Sequence, residues 1–174
     1  FVCSFEKPLV IHKRIFLVVP PFAEREPGFE VWFTKITKLA QELSVPIQLY
    51  CNQRTGKAIQ TFHKKSKSPA TINYNEFDDW EDFLILSRFI HDMDLLVLVS
   101  SRRNGVSHLN ALDNLPYKLQ KYYPENSKVI IYPQQFEEVY DSPDYEEPVE
   151  PLSKGLETIQ WLGKEIGSIF KKED

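Results

Sequence analysis

The densest grouping of side chains able to do chemistry is Ser100-Ser101-Arg102-Arg103-Asn104-Gly105-Val106-Ser107-His108, which directly follows the apolar run Leu95 to Val99. Guanidinium, amide and hydroxyl donors around one flexible residue suit an anion. Arg102, Arg103, Asn104, Gly105 and Ser107 are therefore the candidate ligand-binding residues, for a phosphate or a nucleotide; the competing reading is a solvated basic connection. Other groupings carry less. Gly56-Lys57 hints at a Walker loop, but Cys51 stands where the first glycine is needed and Ala58 where the magnesium-binding hydroxyl is needed. Asp78, Asp79, Glu81 and Asp82 are more simply helix-capping and dipole-complementing acids than metal ligands. His63, Lys64, Lys65 and Lys67 likewise suit a solvated helix C-terminus. His12, His63, His91 and His108 form no i, i+4 pair and have no cysteine nearby, and no G-x-S-x-G elbow exists. Cys51, closing an apolar run, reads as a small core residue. No catalytic residue and no metal ligand is assigned, and a non-enzymatic protein is expected.

The elements that would position the Arg102 loop follow from periodicity. Ile15 to Val19 is a continuous apolar run closed by Pro20 and Pro21, as in a strand buried on both faces. Phe29, Trp32, Phe33, Ile36, Leu39, Ala40 and Leu43 recur at helical spacing. Ile47 to Cys51 reads as a second strand, Thr55 to about Lys65 as a weaker helix, and Ala70 to Tyr74 as a third strand. Asp78 or Asp79 can cap a helix whose core face is Trp80, Phe83, Leu84, Ser87 and Ile90. Leu95 to Val99 is the fourth strand, and Asn110 to Tyr123 is helical, with Pro116 either near its first turn or kinking it. Val129 to Tyr132 is the fifth strand. Alternating β and α segments predict an α/β, doubly wound, five-stranded parallel sheet of order 3-2-1-4-5. Ligands of such sheets bind beyond the carboxyl ends where strand order reverses, here between the loops after Val19 and Val99. Pro20 and Pro21 offer no N–H to a phosphate at that place.

Composition narrows the function classes. The chain has 174 residues with 42% hydrophobic and 26% charged side chains, enough for one core without disulfide or metal staples. Six glycines fall well short of the roughly twelve that average usage gives, which argues against glycine-rich phosphate loops. Residues 1–133 carry 17 basic and 14 acidic side chains, net +3, too little for a nucleic-acid footprint. Residues 134–150 carry Glu137, Glu138, Asp141, Asp144, Glu146, Glu147 and Glu150 and no base. With Pro143, Pro148 and Pro151, the stretch 134–151 reads as an acidic loop or extended strap, and 152–174 regains helical spacing and is expected to pack on the same domain. Cys3 and Cys51 allow one pairing at most, and a reducing compartment fits. No apolar stretch approaches the roughly 18 residues that a membrane span needs. The only methionine is Met93 and the chain starts at Phe1, so it is expected to be part of a longer polypeptide.

Three runs carry a resemblance: Asp94 to His108 (DLLVLVSSRRNGVSH), Leu112-Asp113-Asn114-Leu115-Pro116, and Asn126 to Pro133 (NSKVIIYP). Together they resemble the cytosolic C-terminal domain of bacterial monovalent cation/proton antiporters, a region itself similar to the universal stress protein fold. The resemblance covers Lys13 to Pro133. It implies a three-layer, adenine-nucleotide-hydrolase-like sandwich over residues 1–133, with the strap and an extra C-terminal helix appended. It also implies a regulatory or assembly domain of a sodium (or potassium)/proton antiporter, at the cytoplasmic face of the inner membrane. Its partners would be the membrane domain of the same polypeptide and a second copy in a homodimer. The universal stress family's ATP motif, G-x2-G-x9-G-[S/T], is degenerate here. With Gly105 as its second glycine the other places are Arg102, Leu115 and Pro116; with Gly105 as its first they are His108, Lys118 and Leu119. The Asp usual at the end of strand one is replaced by the neighbourhood of Pro20. The fold is thus expected without the ATP site, no cofactor is expected, and a free-standing stress protein binding ATP or AMP is the alternative.

Overall fold

A computed structural model describes residues 1–81 and 83–134. The predicted strap beyond Gln134 and the predicted helix over 152–174 lie outside the described residues.

Strands β1 (Val2–Ser4), β2 (Arg14–Val18), β3 (Ile47–Cys51), β4 (Ile72–Glu76), β5 (Asp94–Val99) and β6 (Lys128–Ile131) form one sheet. Its order is β1-β6-β5-β2-β3-β4, and every pairing is parallel except β1 with β6. The sheet therefore has six strands where the sequence predicts five. The added strand is three residues long and is followed at once by Glu6, Lys7 and Pro8, so it has no apolar run to announce it. β1 aligns Val2 with Ile130 and Ser4 with Lys128, covering what would otherwise be an open sheet edge.

The central strands bury both faces, which is why they read as unbroken apolar runs. Ile15, Leu17, Val19, Leu49, Val97 and Ile131 point to one layer, closed by helices α1 (Phe29–Leu43) and α2 (Gln53–Ser66). Phe16, Val18, Leu96, Leu98 and Ile130 point to the other, closed by a 3-10 helix at Phe83–Phe89 and by α3 (Leu115–Tyr122). β2 to β3 and β3 to β4 cross on the first face, then the chain passes back under β2 to start β5. The strand order reverses there, between β2 and β5.

Two predicted helices differ. The segment after Asp79 is 3-10 rather than α, and its buried residues are Trp80, Phe83 and Leu86, while Ser87 is exposed. A spacing of three fits the three residues per turn of that helix. The predicted helix from Asn110 splits into a 3-10 turn, Asn110–Leu112, and α3. Asn114 at φ 55° breaks it, and Pro116 sits in the first turn of α3, where its missing N–H costs nothing. β4 starts at Ile72 instead of Ala70.

Candidate functional site

The crevice at the strand-order reversal is bounded by two loops. The first leaves β2 through Pro20 and Pro21. Phe22 then adopts a left-handed backbone at φ 65°, and a 3-10 turn over Ala23–Arg25 delivers Glu26 inward, where it is 3% exposed. The second leaves β5 at Ser100. It turns on Asn104, at φ 73°, with Gly105 N–H donating to the Arg102 carbonyl and His108 N–H to the Gly105 carbonyl. This turn brings Ser107 back under the loop.

The two loops meet at one oxygen. Glu26 Oε1 accepts from the Ser107 hydroxyl at 2.7 Å, the Ser107 backbone N–H at 3.1 Å and the Ser101 hydroxyl at 3.1 Å. All three residues are buried. The loop that carries the predicted ligand-binding residues thus holds the chain's own Glu26 carboxylate through Ser101 and Ser107.

The five predicted ligand-binding residues do not act as one set. Only Ser107 turns inward. Arg102, Arg103 and Asn104 are exposed and Gly105 is half-buried. Arg103 reaches toward Asp113 at 3.9 Å, and Arg102 lies close enough to Tyr132 to oppose the burial that raises its phenol pKa. His108 Nε2 lies 2.9 Å from Asp113 Oδ1. That hydrogen bond, ahead of the charges of His108, Arg103 and Lys118, holds the Asp113 carboxyl below its ordinary range. Glu26, Ser101 and Asp113 are not among the five predicted ligand-binding residues. Glu26 carried one signal: it is an acid on the loop directly across the reversal point from a hydroxyl-rich loop.

A third segment meets the chain just beyond Glu26. After β6 the chain passes through Tyr132 and Pro133 to Gln134, whose carbonyl accepts from Gly28 N–H at 3.1 Å. A Cβ on Gly28 would lie 2.5 Å from the Gln134 backbone nitrogen, so only glycine admits this approach at the start of α1.

Elsewhere, Cys51 is buried at the end of β3, and burial, then the nearby Glu24, Asp78 and Glu76 carboxylates, push its thiol up to about 12. Cys3 is exposed and free. Among the described residues no group of three or more His, Cys, Asp and Glu side chains is arranged to hold a metal, and no helix is long and apolar enough to cross a membrane. A recess of about 320 Å³ lined by Ala40, Gln41, Ser44 and Pro69 opens at the amino ends of β3 and β4, the opposite end of the sheet from the crevice. No protein-family model and no curated protein matches the chain.

Proposed function

We propose that this chain is a non-catalytic regulatory or assembly domain, of universal stress protein-like architecture, that belongs to a bacterial antiporter exchanging sodium or potassium for protons. It works at the cytoplasmic face of the inner membrane, and ion exchange takes place in the membrane part. The observation that carries the reading is the Glu26 carboxylate seated in the crevice on Ser101 and Ser107. A nucleotide phosphate entering there would have to displace that carboxylate or lie against it, and like charges at hydrogen-bond range repel strongly away from water. Pro20 and Pro21 withhold backbone donors on the facing side. Supporting the attachment to a transporter is the antiporter-like run Asp94 to His108, which forms β5 and the loop that grips Glu26.

Titration calorimetry with ATP, AMP and cyclic dinucleotides tests the crevice. No heat at millimolar ligand is expected, and saturable heat would restore the free-standing nucleotide-binding stress protein instead. The coding sequence upstream of Phe1 tests the attachment: apolar spans are expected there, and a frame without them would remove the antiporter from the proposal.

A further inference from the structure

Helix α2 carries charge of one sign only. Residues 52–75 include Arg54, Lys57, Lys64, Lys65 and Lys67 and no carboxylate. The helix packs on the sheet through Thr55, Gly56 and Ile59, with Phe62 half-buried beside them. At 3.6 residues per turn, Arg54, Lys57, Lys64 and Lys65 then fall in an arc of roughly 100° on its opposite side. All four are exposed, and Lys67 at the C-cap extends the row. A rise of 1.5 Å per residue spreads it over about 20 Å. Arg25 joins at the other end. The Arg25 and Arg54 guanidiniums lie 5.1 and 5.5 Å from the centroid of one ring, Phe22. That ring is anchored by Phe22 N–H donating to the buried Thr55 hydroxyl at 3.2 Å. Among the described residues none of these six cations is in an ion pair, whereas Lys38 on neighbouring α1 pairs with Glu42.

We infer that this row is a docking surface for a bilayer leaflet bearing anionic headgroups. Attraction to such a leaflet sums over exposed lysines and arginines and requires no pocket, only that they project from one side. The row meets that condition on the outward side of a helix. Single-stranded nucleic acid would need free ring faces on which bases stack. The rings here are unsuited to that, since Phe62 packs against the core and Phe22 is engaged by two guanidiniums. The inference rests on charge layout and goes beyond the antiporter reading, so it is decided by a different measurement from either test above.

The test is co-sedimentation of the full chain with vesicles of phosphatidylcholine alone or mixed with phosphatidylglycerol. Binding is expected only to the mixed vesicles and should fade as salt rises, because exposed charges are screened. Each basic residue near the surface is worth about a fivefold change in partitioning. Lys57→Gln/Lys64→Gln should therefore lose about twenty-fivefold, and Lys57→Glu/Lys64→Glu more, with circular dichroism reporting that both fold. The control Arg88→Glu/Lys121→Glu makes the same net-charge change as the glutamate pair on exposed positions of the other helical layer, and it should retain most binding. Equal partitioning onto neutral vesicles, equal loss in the two charge-reversal pairs, or tighter binding to an RNA oligomer than to anionic vesicles would each overturn the inference.

Discussion

Glu26→Ala is the sharpest perturbation of the crevice, because it removes one acceptor from three buried donors. The Ser107 backbone N–H, 3.1 Å from Oε1, is fixed by the chain and has nowhere to turn. A stranded buried donor costs about 1–3 kcal/mol. The Ser107 hydroxyl loses a charge-assisted bond of 2.7 Å, a class worth about 1.5–3 kcal/mol. The Ser101 hydroxyl loses little, since the Arg102 carbonyl already lies 3.1 Å away as an alternative acceptor. Against these stands relief from burying a carboxylate that has no cationic partner within ion-pair distance among the described residues. The balance is a loss of about 2–4 kcal/mol. Glu26→Gln keeps a carbonyl oxygen for the Ser107 N–H and should lose only about 1 kcal/mol. In urea, with a slope of about 2 kcal/mol per molar, the alanine variant should move the midpoint down by about 1–2 M at unchanged slope. A cycle with Ser107→Ala should show coupling of about 1 kcal/mol or more. Inorganic phosphate should stabilise the alanine variant and leave the parent untouched, since only the variant offers the donors a free place. A loss under about 0.5 kcal/mol with additive singles would refute the claim that this carboxylate organises the two loops.

Gly28→Ala should destabilise by about 1–3 kcal/mol, measured by the same urea titration, because its Cβ meets the backbone of Gln134 at 2.5 Å rather than a side chain that can swing away. An aromatic disulfide reagent at neutral pH should titrate one thiol in the folded chain, that of exposed Cys3, and two after denaturation, since burial keeps Cys51 protonated with a pKa of about 12. The Asp113 carboxyl should titrate below its ordinary 3.8 when followed by carbon NMR, and His108→Ala should move it back up. A carboxyl lowered by folding contributes stability that is present above the unfolded value and disappears as pH falls through the folded one, so this contribution is complete above about pH 4 and its loss is confined to more acid solution.

Much of the fold was legible because burial on two faces leaves an unmistakable trace. Leu95 to Val99 and Ile15 to Val19 had to be central strands, since each successive side chain meets a different apolar layer. α1 was legible because seven apolar residues shared one helical face. What escaped had either too few residues or the wrong period. β1 contributes three residues, two of them exposed, and is held by pairing with β6 rather than by any pattern of its own. Trp80, Phe83 and Leu86 fit a spacing of three, which over so short a span is hard to tell from the three-and-four spacing of an α-helix.

The crevice was half legible, and the missing half has a geometric cause. Residue types after β5 suggest an anion site, but nothing in a one-dimensional pattern says that Glu26, 75 and 81 residues away, is the group its serines grip. Glu24, Arg25 and Glu26 look alike in sequence, three charged residues before a helix. Consecutive residues of a 3-10 turn point about 120° apart, so the three must face three ways. Glu24 accepts from the Thr55 hydroxyl at 2.9 Å, Arg25 lies over Phe22, and Glu26 enters the crevice. That division depends on how tightly the chain turns after Pro21, and the turn depends on Phe22 holding a positive φ that a bulky residue adopts only under tertiary constraint. The constraint is the Thr55 hydroxyl, which accepts from Phe22 N–H while donating to Glu24. One buried threonine on α2 thus braces the turn that sends a carboxylate into the crevice where the strand order reverses.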